Sequence, residues 1–231
     1  MEIEPNNKTI ESIAGANPGL RPGICQGKME VYMKVDLEAV NKFRAELVIV
    51  SKKLFARSLT SGTSGNISAR VPGYPNQVLI KATGTCFGDV DEESFVLVDL
   101  EGNVLDGQCV PSKEVRFHLG IYKIRPMVGG IVHGHSAYAT AYATAKNELP
   151  IVTAAAECGL NQVGIVGFAA PGSIELAEMV IAPFAADETL KAVVLQRHGF
   201  VTVGIDIHKA FYLGDVLEDN AKVAFLLDQL K

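Results

Sequence analysis

The stretch GIVHGHSAYATAYATA, residues 130–145, decides the fold, because a short apolar run changes there into a series of small residues. With the preceding Gly129, GGIVHGH (129–135) reads as a strand, and SAYATAYATA (136–145) as a small-residue helix that must pack closely on a neighbour. Residues i and i+2 of a strand share a face, so His133 and His135 offer two imidazoles side by side. By itself that pair fits two metal ligands on a rigid edge, a proton relay, or two packed rings.

Working outward, PSKEVRFHLGIYKI (111–124) predicts a helix capped by Ser112 and stopped at Pro126. Before it, NISARV, QVLIKAT and FVLVDLEGNVLDG are short alternating or apolar pieces, with a tight hairpin turn at Glu101–Asn103. Earlier still, apolar residues at helical spacing (Leu37, Val40, Phe43, Leu47, Val50, Leu54) follow Asp36, a plausible N-cap. Downstream come QVGIVGF, a helix over SIELAEMVIAPFA, and AVVLQRHGFVTVG, which reads as two strands around a turn at His198–Gly199. A long helix closes the chain. Helices thus bracket a central set of strands, which predicts an α/β fold of three layers, α/β/α. Residues 1–35, polar and carrying Pro5, Pro18 and Pro22, read as an N-terminal arm able to pack on a neighbouring subunit, and 36–231 as one domain.

Composition narrows the function. Of 231 residues, 48% are apolar and 20% charged, with a net charge of −5 and the basic residues dispersed. That argues against nucleic acid as the main partner while leaving room for a local anion pocket. Cys25, Cys86, Cys109 and Cys158 form no CxxC pair, so reduced thiols are expected. The polar start MEIEPNNKTIES has no signal-peptide pattern, and no apolar run approaches the roughly 20 residues that span a bilayer. A cytoplasmic protein without membrane partners is expected.

A third histidine raises the odds of a metal. His198 sits where an apolar strand breaks at a glycine turn, and with His133 and His135 it would leave one position open, as catalytic zinc does. His118, four residues after Glu114, suits packing or hydrogen bonding, and His208 suits a polar helix edge. Glu114 either complements a helix dipole or acts as a general base beside a metal-held carbonyl. SGTSGNIS (61–68), KATGT (81–85) and PSKE (111–114) each supply hydroxyls, N–H groups or a helix start suited to phosphate.

In chain order, TSGNIS, ATGT, PSKEVRFH, VHGHS and LQRHG resemble the class II aldolase/adducin superfamily over about residues 37–231. The resemblance implies zinc or another divalent ion such as Mn2+ or Co2+ on His133, His135 and His198, with Glu114 as acid/base. It implies phosphate loops at Gly65–Asn66, Thr83–Gly84 and Ser112, with Lys113 standing where several members carry a serine. It further implies a predominantly antiparallel nine-stranded sheet and a homotetramer with active sites at subunit borders. The small phosphorylated substrate would be a ketose or a keto acid. The reaction favoured is aldol cleavage to dihydroxyacetone phosphate and an aldehyde, with decarboxylation, 4-epimerisation and dehydration as alternatives. Adducin-like members keep the fold as an interaction module, but three histidines together with Glu114 speak for an enzyme. Two tyrosines of the fuculose-phosphate aldolase branch have no counterpart, since the chain reads VTAAAECG after ELPI and stops at Lys231. Glu157 lies near an aspartate of the epimerase branch and is a candidate replacement acid or a surface residue.

Overall fold

Asp36 starts the described part of the computed structural model, residues 36–230, and caps as its position predicts. Its carboxylate accepts the N–H groups of Glu38 and Ala39 at 3.1 and 3.2 Å and opens helix α1, Leu37–Ala56. A cap of this kind is worth about 0.5–2 kcal/mol. The proposed arm at residues 1–35 lies outside the described residues. Strands β1 (Asn66–Val71), β2 (Tyr74–Lys81), β3 (Phe95–Asp99) and β4 (Val104–Asp106) follow. The turn between the last two contains Gly102 at φ +89°, where the hairpin was expected.

The rest runs α2 (Val115–Ile124), β5 (Gly130–Gly134), α3 (Ala137–Lys146), α4 (Ala154–Gly159) and β6 (Gly164–Val166). It ends with α5 (Ile174–Ala186), β7 (Ala192–Leu195), β8 (Gly199–Gly204) and α6 (Ile207–Gln229). The strands form one sheet in the order β4-β3-β2-β1-β5-β8-β7-β6. Every pairing is antiparallel except β6 with β7. Among the described residues the sheet has eight strands, where nine were expected.

Alternation along the strands builds two cores. Leu79, Leu97, Val132 and Val194 join the cluster that contains residues of α1, α3, α4 and α6. Their neighbours Val78, Ile80, Val96, Ile131 and Val193 join the cluster that contains residues of α2 and α5. Because successive side chains take opposite faces, each apolar strand supplies both layers. No helix among the described residues is long and apolar enough to cross a membrane.

Two local expectations need correction. Ser112 does not cap α2: Glu114 occupies the N-cap position, and Ser112 Oγ accepts the Glu114 N–H at 3.3 Å. Ser112 is held back by its own N–H bond to Lys81 O at 3.1 Å and by the adjoining bridge of Pro111 with Ala82. His135 falls one residue beyond the end of β5, tied by its N–H to Leu59 O at 2.8 Å.

Candidate active site

Antiparallel pairing brings the start of β1, the ends of β2 and β5, and the start of β8 to one end of the sheet. A cleft of about 510 Å³ opens there. Its lining includes Gly65, Asn66, Thr83, Gly84, Ser112, Lys113, Glu114, His135 and His198, so every residue expected at the site except His133 faces it. His133 is fully buried behind the cleft, yet its side chain belongs to the same group: the ligand atoms of His133, His135 and His198 lie within 4.8 Å of one another.

The three histidines have the donor chemistry a divalent metal needs. His133 Nδ1 lies 2.8 Å from the carbonyl of Phe200, which only accepts, so Nδ1 carries the hydrogen and Nε2 keeps a lone pair. That Nε2 stands 3.0 Å from His135 Nε2 and 3.2 Å from Glu114 Oε2. Three electron-rich atoms so close repel unless a cation or protons lie among them. Two nitrogens sharing a zinc at its usual bond length would be roughly 3.4 Å apart in a tetrahedral site, near the spacing seen here. Burial, followed by the effect of His133, depresses His135 to about 3 and His198 to about 4, which keeps both imidazoles in the neutral, ligating form.

Close backbone approach makes this convergence physically feasible. Gly134 and Gly199 face each other where β5 and β8 start their pairing, and a Cβ on Gly199 would sit 2.2 Å from Gly134 O. Gly65 has φ +76°, and a Cβ there would meet His133 O at 2.6 Å.

Glu114 is buried at the N-terminus of α2, with Oε1 3.4 Å from His198 Nε2. Asn66 Nδ2 donates to Oε2 at 2.9 Å, while Oε1 has no hydrogen-bond partner. Burial pushes its carboxyl group up, but a positive charge on His133, the Asn66 amide and a positive charge on His198 together hold it well below the usual carboxylate range. A metal cation on the histidines would take the place of that charge. Asn66 pairs with His133 across β1 and β5, which is why the amide reaches the carboxylate. Asn66 also lines the cleft beside Gly65, where the phosphate loop was expected.

Where phosphate loops were expected, backbone bonding decides which groups are left to face the cleft. The Thr83 and Ser112 N–H groups are committed to Val110 O and Lys81 O, leaving their hydroxyls for a ligand. Gly84 has φ +76° and open space where a side chain would be, so a ligand can approach its backbone. Two cations were missed by sequence reasoning. Lys81 is buried at the end of β2, with Nζ 3.3 Å from Gly65 O and 4.7 Å from the centroid of the Phe87 ring. Burial lowers its ammonium to about 8, partly offset by Cys86. A lysine closing the apolar run VLIK was the available signal. Arg197 adopts φ +59°, its N–H bonds Thr144 Oγ1 at 2.8 Å, and its guanidinium lies 4.4 Å from the Phe168 ring centroid. It makes no ion pair among the described residues and lines the cleft beside His198.

Other candidates fall elsewhere. Glu157 is exposed on α4 and does not line this cleft. His208 is half-exposed, 3.9 Å from Glu46, as a surface residue would be.

Comparison with known proteins follows the same lines. The family described as "Class II Aldolase and Adducin N-terminal domain" matches residues 45–225. An L-fuculose phosphate aldolase of Methanococcus maripaludis is 35% identical over 178 residues, 77% of this chain and 93% of that protein. A 3-oxo-tetronate 4-phosphate decarboxylase of Haemophilus influenzae is 33% identical over 190 residues, covering 80% and 88%. The solved structure of an L-fuculose 1-phosphate aldolase superposes with a TM-score of 0.76 at 30% identity, covering 82% of this chain and 87% of that one.

Proposed function

This chain belongs to the class II aldolase and adducin family, and from that premise we propose a metal-dependent lyase that cleaves a small phosphorylated ketose to dihydroxyacetone phosphate and an aldehyde. The observation that carries this reading is the convergence of His133, His135, His198 and Glu114 at a cleft whose remaining wall is hydroxyls, glycines and cations. A divalent ion on the three imidazoles would supply the electrophile for substrate oxygens on which negative charge develops.

The chain's own groups account for the rest. Lys81, Lys113 and the Thr83 and Ser112 hydroxyls hold the phosphate and so fix the carbon chain relative to Glu114. Glu114 takes the proton of the hydroxyl beyond the scissile bond at Oε1, the oxygen with no hydrogen-bond partner. The carbon–carbon electron pair moves toward the carbonyl, the aldehyde departs, and the proton returns from Oε1 to the carbon left electron-rich. The homotetramer implied by the resemblance would place this cleft at a subunit border.

A second reading, decarboxylation of a phosphorylated 3-keto acid, is favoured by Arg197. An arginine without a carboxylate partner, set in a left-handed turn beside His198 and lining the cleft, suits a second anionic group of the substrate. One experiment separates the two: phosphorylated five- and six-carbon ketoses and 3-keto acids are offered to the metal-replete protein, and products are identified by mass. An aldehyde with dihydroxyacetone phosphate supports the first reading, and carbon dioxide the second. A protein that holds no stoichiometric metal and is unchanged by His133→Ala is an interaction module instead.

A further inference from the structure

Behind the cleft, a buried polar ladder joins β1 to α2, and the proposed mechanism makes no use of it. Glu114, His118 and Tyr122 recur every four residues along one stripe of α2 and face Asn66 and Ser68, two apart on β1. His118 is fully buried, stacked on Phe117 with ring centroids 4.6 Å apart.

The hydrogen bonds leave one arrangement of protons. The Glu114 carboxylate only accepts, so Asn66 presents its NH2 to Oε2 and turns its own oxygen toward His118 Nε2. An amide oxygen only accepts, so His118 carries its hydrogen on Nε2 and is bare at Nδ1. Ser68 Oγ, 2.7 Å from Nδ1, must then donate to it. Having used its single proton, Ser68 accepts from the Tyr122 hydroxyl at 3.0 Å. Every donor in the ladder points toward Glu114.

We propose that His118 is a positioning residue: its Nε2–H locks the Asn66 amide so that Nδ2 holds Glu114 Oε2 and leaves Oε1 alone to exchange protons. This rests on the reading of Glu114 as the acid/base group. Without the lock, the Asn66 amide can turn and set its oxygen against the carboxylate, and the oxygen that faces substrate is no longer defined. His118 touches neither substrate nor metal.

The test has a spectroscopic arm and a kinetic arm. In metal-replete protein at pH 7.5, nitrogen NMR of the imidazole should show a neutral ring protonated at Nε2, and a ring protonated at Nδ1 would overturn the proposal whatever the enzyme does. His118→Phe keeps ring volume without a nitrogen, and His118→Gln keeps an N–H near the position of Nε2. With metal content and thermal midpoint recorded for each, His118→Phe should lower kcat about 10- to 100-fold with KM unchanged, the usual range for a supporting hydrogen bond. His118→Gln should recover most of that loss. Equal losses in both variants, or KM rising with kcat intact, would mean a merely structural role. Glu114→Gln in parallel separates the two levels: unchanged turnover there removes the acid/base reading, while the NMR result still decides whether His118 locks Asn66.

Discussion

Replacing Gly199 by alanine tests whether the ligand geometry depends on the close approach of β5 and β8. The new Cβ would stand 2.2 Å from Gly134 O and 3.3 Å from His135 Cα. Real Cβ atoms essentially never come within 3.0 Å of such an atom, so the strands must part by at least 3.0 − 2.2 = 0.8 Å. Gly199 follows His198 and Gly134 precedes His135, so the displacement falls on two of the three ligands. Metal sites hold ligand distances to about ±0.2 Å, which 0.8 Å exceeds several-fold. Metal affinity should fall about 10- to 100-fold, and overpacking should cost about 1–3 kcal/mol of stability. Competition against a chelating dye measures the first, and denaturant unfolding of the metal-free protein the second. Gly84→Ala is the contrast, because it has φ +76° but nothing within 4 Å. It should lose about 1–2 kcal/mol through left-handed strain, weaken phosphate binding and keep its metal. Native metal affinity in Gly199→Ala, or an equal loss in Gly84→Ala, would refute the reasoning.

The remaining expectations are briefer. Glu114→Gln should keep stoichiometric metal, measured by mass spectrometry, and lose about 10²- to 10⁴-fold in turnover. Lys81 titrates at about 8, so calorimetric affinity for inorganic phosphate should fall as pH rises through that value, and Lys81→Met should show a weaker, flat profile. His118 is held neutral, its pKa lowered by burial from 6.5 to about 3. The unfolded chain therefore binds the extra proton below pH 6.5, and stability drops as pH falls from 6.5 toward 3. At pH 5 this one group accounts for about 2 kcal/mol. Urea unfolding of metal-free protein at pH 7.5 and 5 measures it: His118→Phe should shrink the difference by about 2 kcal/mol, and the depressed His135 and His198 account for what remains.

The layers of the fold were legible in the sequence because periodicity is a local property. Strand alternation at VLI and VVL, and the cap at Asp36, act within a few residues. His133 and His135 were legible for the same reason. Their meeting with His198 depends on the β5–β8 pairing, which no local pattern specifies; the glycine turn at His198 suggested it, and the resemblance implied it. The errors have the same origin. The Asn66 bond to Glu114 was not read from the sequence because its register against His133 is a long-range fact. Ser112 looked like a cap because its bond to Lys81 O cannot be seen in PSKE. Lys81 and Arg197 were passed over because the first is a charge inside an apolar layer and the second owes its placement to a left-handed turn.

The same strand order governs when the ligand set can exist during folding. β1 and β2 are joined by a short hairpin, whereas the β1–β5 and β5–β8 pairings close loops of roughly 60 residues. Such pairings are the slow, high-contact-order part of folding. His133, His135 and His198 stand together only after β5 pairs with β8, so an ion finds no three-histidine site before that long-range pairing closes. An ion held there would bind the finished chain, and so would slow escape from the native state without hastening arrival there. Such a metal would be a latch on the completed sheet, and its removal should shorten the lifetime of the native chain while leaving the refolding rate as it was.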